Sequence, residues 1–298
     1  MTDGPRLSRR ALLTALGLTG IATAGIAASA ATGTLPAGVA MRHLLGAAGQ
    51  SPVPKRSVVR LERVHSAARG RGVDLLTVLP PNVHTDGLPM SLMLHGLHGS
   101  ARYAIPGNLP EALARVVAGG VPPFGFVAVD GGDNYWHENV PGDDPMAMLL
   151  DELPRWLAAR GLGQPFACTG VSMGGFGALL YDRRRAERGQ PVGAIAALSP
   201  GLLTSWPEMS KRHAFANEAQ WAELDPLRSV DKLGPTPIGV WVGDHDTFID
   251  GTRRFIRDAR PSVASITPGG HNDAFFRSVV PDVLRFLGGH VPKPGRPG

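Results

Sequence analysis

Gly170-Val171-Ser172-Met173-Gly174 constrains this chain more than any other stretch. Its apolar lead-in, Pro165-Phe166-Ala167-Cys168-Thr169, reads as a strand, and the run Gly175-Phe176-Gly177-Ala178-Leu179-Leu180 reads as a helix start. Strand, sharp turn and helix in that order set the serine at the apex of a strained bend, with its hydroxyl exposed. Glycines two residues to either side keep Cβ atoms out of the tightly folded backbone. The helix that follows aims free N–H groups and its positive dipole end at the same spot, which favours developing negative charge. In a chain with 39 glycines the bare pattern also arises by chance. Its setting and its downstream partners therefore carry the argument.

That setting is an alternation of strands and helices. Two period-2 segments, 57–67 and 73–79, flank Arg69-Gly70-Arg71-Gly72 and predict an antiparallel hairpin. Apolar strands are then expected at 91–94, 124–129, 192–198, 238–242 and 263–266. Helices are expected at 109–117, from Asp144-Pro145 toward 159, and at 272–287. Asp144 suits an N-cap and Pro145 the first helical position, while Pro154 should kink or split that helix. Continuous apolar strands indicate burial on both faces. The expected fold is thus α/β: a mostly parallel central sheet with helices on both faces and an N-terminal antiparallel hairpin. Segment 201–231 breaks the alternation and carries Trp206, Phe215 and Trp221. It is expected to be a cap insertion above the strand ends, within a catalytic domain spanning 55–290.

The termini read differently. Ser8-Arg9-Arg10-Ala11-Leu12-Leu13 resembles a twin-arginine export signal, with Thr14 where a lysine is usual, and Ala28-Ser29-Ala30 suits signal cleavage. Residues 1–30 are therefore expected to be a signal peptide handled by the twin-arginine translocase, delivering the protein outside the cell or to the cell envelope. Retention as an N-terminal membrane anchor is the alternative, because 11–30 is nearly long enough to span a bilayer. Residues 31–54 read as a linker and 291–298 as a disordered tail. A formal charge of +5, partly from Arg6, Arg9 and Arg10, with no basic stripe interleaved with aromatics, argues against nucleic-acid binding. The single cysteine, Cys168, excludes an internal disulfide and a cysteine zinc cluster. It reads as a small buried hydrophobe.

A serine nucleophile needs a base, and the base needs an orienting carboxylate. His271, in Pro268-Gly269-Gly270-His271-Asn272-Asp273, follows one predicted strand. Asp244 and Asp246, in Gly243-Asp244-His245-Asp246-Thr247-Phe248, follow another. Both loops leave carboxyl ends of strands, the edge at which open α/β sheets gather their sites. His271 is the expected base and Asp246 the favoured acid, with Asp244 able to cap the turn instead. The expected oxyanion donors are the N–H groups of Met173 and Leu97, with Gly96 the neighbouring candidate, from His95-Gly96-Leu97-His98-Gly99. His95, Gly96, Tyr135, Trp136 and His137 are expected to contact substrate, because aromatic residues on a site-facing loop suit acyl chains or sugars. No second ligand cluster accompanies Asp244-His245-Asp246, or His95 with His98, so no metal is expected.

These residues resemble the esterase D-type branch of the α/β-hydrolases. His95-Gly96-Leu97, Gly170 to Gly175, Asp246-Thr247-Phe248 and Gly270-His271 carry the likeness. Glu152-Leu153-Pro154-Arg155-Trp156-Leu157 and the stretch from Val129 to His137 extend it. The resemblance covers about residues 55 to 288. It implies an α/β-hydrolase fold with Ser172 as nucleophile, His271 as base and Asp246 as acid, and no cofactor. The branch includes S-formylglutathione hydrolases, feruloyl-type esterases and secreted mycolyltransferases. Mycolyltransferases carry glutamate as the acid, and formylglutathione hydrolases are cytosolic, so neither substrate transfers to this chain. The expected function is an exported serine esterase acting on a small-molecule, lipid or glycan ester. The alternatives are an acyltransferase with a sugar or lipid alcohol acceptor, and a non-catalytic cell-wall binding protein on the same scaffold.

Overall fold

Short strands made wholly of apolar residues are stable only with a hydrophobic layer on each face. Here one sheet holds eight strands, β1 (Val58–Ser66), β2 (Arg71–Leu79), β3 (Met90–Leu94), β4 (Gly125–Val129), β5 (Pro165–Val171), β6 (Ala194–Leu198), β7 (Ile238–Gly243) and β8 (Val263–Thr267), of which β3 to β7 meet that condition while β1 and β8 are the exposed edges. Their order is β1-β2-β4-β3-β5-β6-β7-β8. The computed structural model describes residues 56–104 and 106–293. The expected signal (1–30) and linker (31–54), and residues 294–298 of the expected tail, lie outside the described residues.

β1 and β2 pair antiparallel from Val58↔Leu79 to Ser66↔Arg71, which is the expected hairpin. β2 also runs antiparallel to β4, and every later pairing is parallel. In β4, Phe126 and Ala128 face one apolar layer while Val127 and Val129 face the other. The first layer holds the closing helix Asp273–Gly288 through Val280, Val283 and Leu284, and the second holds the elbow helix Met173–Glu187 through Phe176 and Leu179. The chain passes from β3 outward to β4, then returns to β5 on the other side of β3. That reversal opens a crevice at the carboxyl ends of β3 and β5, the usual ligand position in such sheets.

Proline shapes the helix between β4 and β5. Asp144 caps its start, accepting from the Ala147 N–H at 2.7 Å. Pro154 has no N–H to continue the ladder. The helix therefore splits into Pro145–Ala147, a π turn Met148–Glu152 and a final Leu153–Ala158. The π turn turns Glu152 inward. Its buried carboxylate accepts from Ser66 Oγ (2.5 Å), Ala67 N–H (2.8 Å) and Ala68 N–H (3.0 Å), which anchors the hairpin bend. Outside segment 201–231, one α-helix was not anticipated from the sequence: Ile249–Ala259, directly after the Asp246 loop. Segment 201–231 contains two short helices, Trp206–Ser210 and Glu218–Leu224, whose Trp206 and Trp221 rings lie 6.1 Å apart. Among the described residues no helix is long and apolar enough to cross a membrane.

Candidate active site

The turn after β5 is as tight as its glycines imply. Ser172 has φ 58° and ψ −120°, a conformation side chains rarely adopt. A Cβ on Gly170 would stand 1.9 Å from the Gly174 carbonyl oxygen, and one on Gly174 would stand 2.1 Å from that of Leu94. Only glycine fits either position. The Ser172 carbonyl accepts from the N–H groups of Gly175 (2.9 Å) and Gly201 (2.7 Å), which locks the bend from both sides.

His271 reaches that serine from the loop after β8. Its Nε2 lies 2.9 Å from Ser172 Oγ, and its Nδ1 lies 2.9 Å from Asp246 Oδ2 and 3.2 Å from Oδ1. A carboxylate only accepts, so Nδ1 carries the proton and Nε2 is left to accept from the hydroxyl. Asp246 is buried, and its Oδ1 also accepts from the Phe248 N–H at 2.8 Å. Burial pushes this carboxyl up, but the bonds from His271 and Phe248 outweigh it and hold the group below the usual carboxylate range. The Ser199 hydroxyl stands next to the carboxylate and adds to that pull, although its geometry falls short of a hydrogen bond. Asp244 does other work, accepting from the Gly269 N–H at 3.0 Å and capping the turn before His271. Phe248 and Phe276 flank the imidazole edge-on at 5.0 and 5.3 Å between ring centres.

The loop after β3 supplies N–H groups beside Ser172. The Gly96 carbonyl accepts from His95 Nδ1–H (2.8 Å) and the Gly99 N–H (3.0 Å). In a trans peptide the Leu97 N–H then points the opposite way. It makes no hydrogen bond among the described residues, and Leu97 borders the cleft with Ser172. The Met173 N–H opens the elbow helix and is likewise unbonded there. His95 Nε2 accepts from the Gly131 N–H at 2.8 Å, so both ring nitrogens are used and the ring is neutral. Burial pushes it below the usual imidazole range. On the far side of the loop, Asp133 accepts from the His98 N–H (2.6 Å) and pairs with its Nδ1 (3.0 Å).

Tyr135, Trp136 and His137 do not line the cleft as expected; all three are buried. Trp136 fills slots left by glycine: a Cβ on Gly131 or Gly177 would meet its ring at 2.3 or 2.6 Å. Its Nε1–H donates to the His95 carbonyl at 3.2 Å. Tyr135 packs edge-on against Phe176 at 5.2 Å. His137 Nδ1 accepts from the Asn139 N–H (3.0 Å), so its Nε2–H donates to the Ala214 carbonyl (2.7 Å). The physical reason for the correction is that this loop is the scaffold behind the site, joining the loop after β3 to the elbow helix. His95 belongs to that scaffold too, whereas Gly96 borders the cleft, its position for a Cβ lying 3.3 Å from Ser172 Cβ.

A family model described as "Putative esterase" matches residues 66–257, well over half of the chain. The chain belongs to that esterase family. Among solved structures it is similar to a ferulic acid esterase (21% identity, 78% of this chain and 98% of that one, TM-score 0.65). It is similar also to a fluorophosphonate-binding serine hydrolase of Staphylococcus aureus (15%, 78% and 99%, 0.62). A third is an S-formylglutathione hydrolase from Agrobacterium tumefaciens (16%, 79% and 96%, 0.64). At these identities the likeness establishes the α/β-hydrolase fold. No curated protein matches the chain.

In this esterase the elements above meet in one cleft of about 580 Å³, walled by Leu97, Ser172, His271, Phe248 and Phe276. Tyr103 stands at its rim, 81% exposed. Arg212, from the 201–231 segment, also borders it. Arg212 and Phe276 were missed in the sequence: one arginine among 30 basic residues carries no local signal. Phe276, however, could have been found, because it follows His271 by five positions in the helix that the histidine loop opens. Among the described residues no three His, Cys, Asp or Glu side chains converge as metal ligands. Cys168 is fully buried, and burial pushes its thiol up, as suits a packing residue.

Proposed function

We propose that this chain is an exported serine esterase that hydrolyses carboxylic esters through an acyl-enzyme. One observation carries the reading: the unbroken hydrogen-bond chain from Ser172 through His271 to Asp246, at the apex of the elbow. His271 takes the Ser172 proton as Oγ attacks the ester carbonyl, and Asp246 stabilises the imidazolium that forms. The N–H groups of Met173 and Leu97 receive the oxyanion. His271 then passes the proton to the leaving alcohol. Water, activated by the same imidazole, releases the acid. The exposed rim at Tyr103 leaves the acyl-enzyme open to water in this second half, which supports hydrolysis. Export is proposed from the Ser8–Leu13 pattern and the small-residue stretch ending at Ala30.

Labelling with a fluorophosphonate tests the nucleophile. Wild type should label and Ser172→Ala should not; equal labelling of both would overturn the assignment. Hydrolysis of p-nitrophenyl esters by wild type, abolished in Ser172→Ala, tests the reaction, and no turnover of any of them would favour a binding role. Added trehalose or glycerol should leave the products as free acid. Cell fractionation of the wild type against a variant with Arg9 and Arg10 both changed to Lys tests the route out of the cytoplasm.

A further inference from the structure

Arg212 is the charged side chain on the cleft wall that has no counter-ion among the described residues. The histidines and the carboxylate there are engaged, His98 with Asp133 at 3.0 Å, Asp273 with Arg277 at 2.7 Å and His271 with Asp246, and the remaining titratable group is the solvent-exposed Tyr103 phenol. The Arg212 Nε is buried and finds no acceptor among the described residues. Its guanidinium carbon lies 5.7 Å from the centre of the Phe248 ring, and that ring lies 5.0 Å from His271. The cation therefore stands one aromatic ring away from the imidazole that touches Ser172.

Its position is built into the fold. The Arg212 N–H donates to the Met209 carbonyl (2.9 Å), ending the Trp206–Ser210 helix, and His213 turns the chain with φ 53°. The next carbonyl, that of Ala214, is held by buried His137, and Phe215 stacks on the same imidazole at 4.9 Å. Burial keeps His137 below the usual imidazole range, so this anchor is neutral and adds no charge to the cleft. Tyr135 lies close behind; burial pushes its hydroxyl up to about 12 against the opposing pull of the Arg212 charge. Protein side chains thus hold a half-buried guanidinium at the site and leave its charge unanswered. A planar, permanently charged fork of this kind matches a carboxylate better than any neutral group does.

We propose that Arg212 selects esters that carry a carboxylate within reach of the scissile bond. The proposal rests on the esterase reading above. Its apolar partners in recognition are Phe248 and Phe276, so the preferred substrate joins an apolar body to an acidic end.

Two matched pairs of esters test it. The first is p-nitrophenyl hydrogen glutarate against p-nitrophenyl valerate, with the charge in the acyl part. The second is 4-(butyryloxy)benzoate against its methyl ester, with the charge in the leaving part. For each pair the ratio of kcat/KM, acidic over neutral, is measured in wild type, Arg212→Met and Arg212→Lys. In at least one pair the ratio should fall by about tenfold or more in Arg212→Met, the loss expected for one charge-assisted contact. It should return only in part in Arg212→Lys, which keeps the charge but not the planar fork, and shrink with added salt in wild type. Retained hydrolysis of the neutral esters shows that the variants fold. An unchanged ratio in both pairs overturns the proposal and leaves the esterase reading intact. If no ester turns over, the esterase reading fails, and calorimetry on Ser172→Ala decides the rest. Glutaranilic acid binding more tightly than valeranilide, with the difference lost when Arg212→Met is added, upholds the carboxylate site. Equal affinities refute it.

Discussion

Asp246→Asn isolates the acid without emptying its pocket. The amide oxygen can stay at Oδ1, where the Phe248 N–H donates at 2.8 Å. The other position, 2.9 Å from His271 Nδ1, then becomes an NH₂ group that faces an N–H. Two donors repel, and the imidazole escapes by moving its proton to Nε2. That nitrogen lies 2.9 Å from Ser172 Oγ and would donate to the hydroxyl, so it could no longer take its proton. The same exchange in a serine-protease triad lowers kcat by about 10⁴, or roughly 5 kcal/mol of transition-state stabilisation. A loss of that order is expected here. Asp244→Asn is the control. Its oxygen keeps the bond from the Gly269 N–H, so activity should stay within about threefold of wild type. The assay is kcat for p-nitrophenyl butyrate per active site, counted by fluorophosphonate titration. If Asp246→Asn kept more than about a tenth of the wild-type rate, or Asp244→Asn lost as much as it did, the wrong carboxylate would have been chosen.

Three further outcomes are expected. Ser172→Gly should melt above Ser172→Ala by an amount equivalent to about 1 kcal/mol, because glycine relaxes the φ 58° bend and alanine does not; equal melting would deny the strain. Asp225 is buried, and burial raises its pKa to about 6, so its folded form holds a proton that the unfolded chain releases near 3.8. Stability from this group is therefore present at low pH and is lost as pH rises through about 6. Asp225→Asn, which keeps an acceptor for the Leu227 N–H, should gain about 2–3 kcal/mol over wild type near pH 7.5 and little near pH 4, and a pH-independent difference in melting would refute this. His95→Phe strands the Gly131 N–H and frees the Gly96 carbonyl, so kcat for neutral esters should drop by about 10- to 100-fold with KM little moved; a change confined to KM would show that His95 does not hold the oxyanion loop.

The parts of this molecule legible in the sequence are those whose geometry permits few residues. Gly170 and Gly174 are forced by backbone contacts of about 2 Å. β4 and β6 must be apolar throughout because both faces are buried. Asp144, Asn272 and Pro154 mark helix ends and a split by chemistry that acts within one turn. What could not be read depends on direction or on distant partners. Tyr135, Trp136 and His137 occupy a loop at the right edge of the sheet, but the sequence does not say which way a side chain points. The slots at Gly131 and Gly177 turn Trp136 inward. The Ile249–Ala259 helix was hidden by Gly251 and Thr252, poor helix formers in its interior. Gly251 is needed because a Cβ there would stand 2.0 Å from the Leu202 carbonyl. Asp246 was favoured over Asp244 in the sequence, and in space they differ because Asp246 meets His271 Nδ1 whereas Asp244 accepts from the Gly269 N–H.

Segment 201–231 joins β6 to β7 without adding a strand, and it carries Arg212. Its first residues are tied down, Gly201 to the Ser172 carbonyl and Leu202 against Gly251. Beyond them the segment reaches the cleft through the Arg212 side chain. Phe248 and Phe276 stand outside it, so the segment adds one charged wall to a cleft whose other walls come from the β3 and β7 loops and the closing helix. A change at Arg212 that keeps Ala214 and Phe215 on His137 would therefore alter the charge on that wall while Ser172 and His271 stay where the sheet holds them.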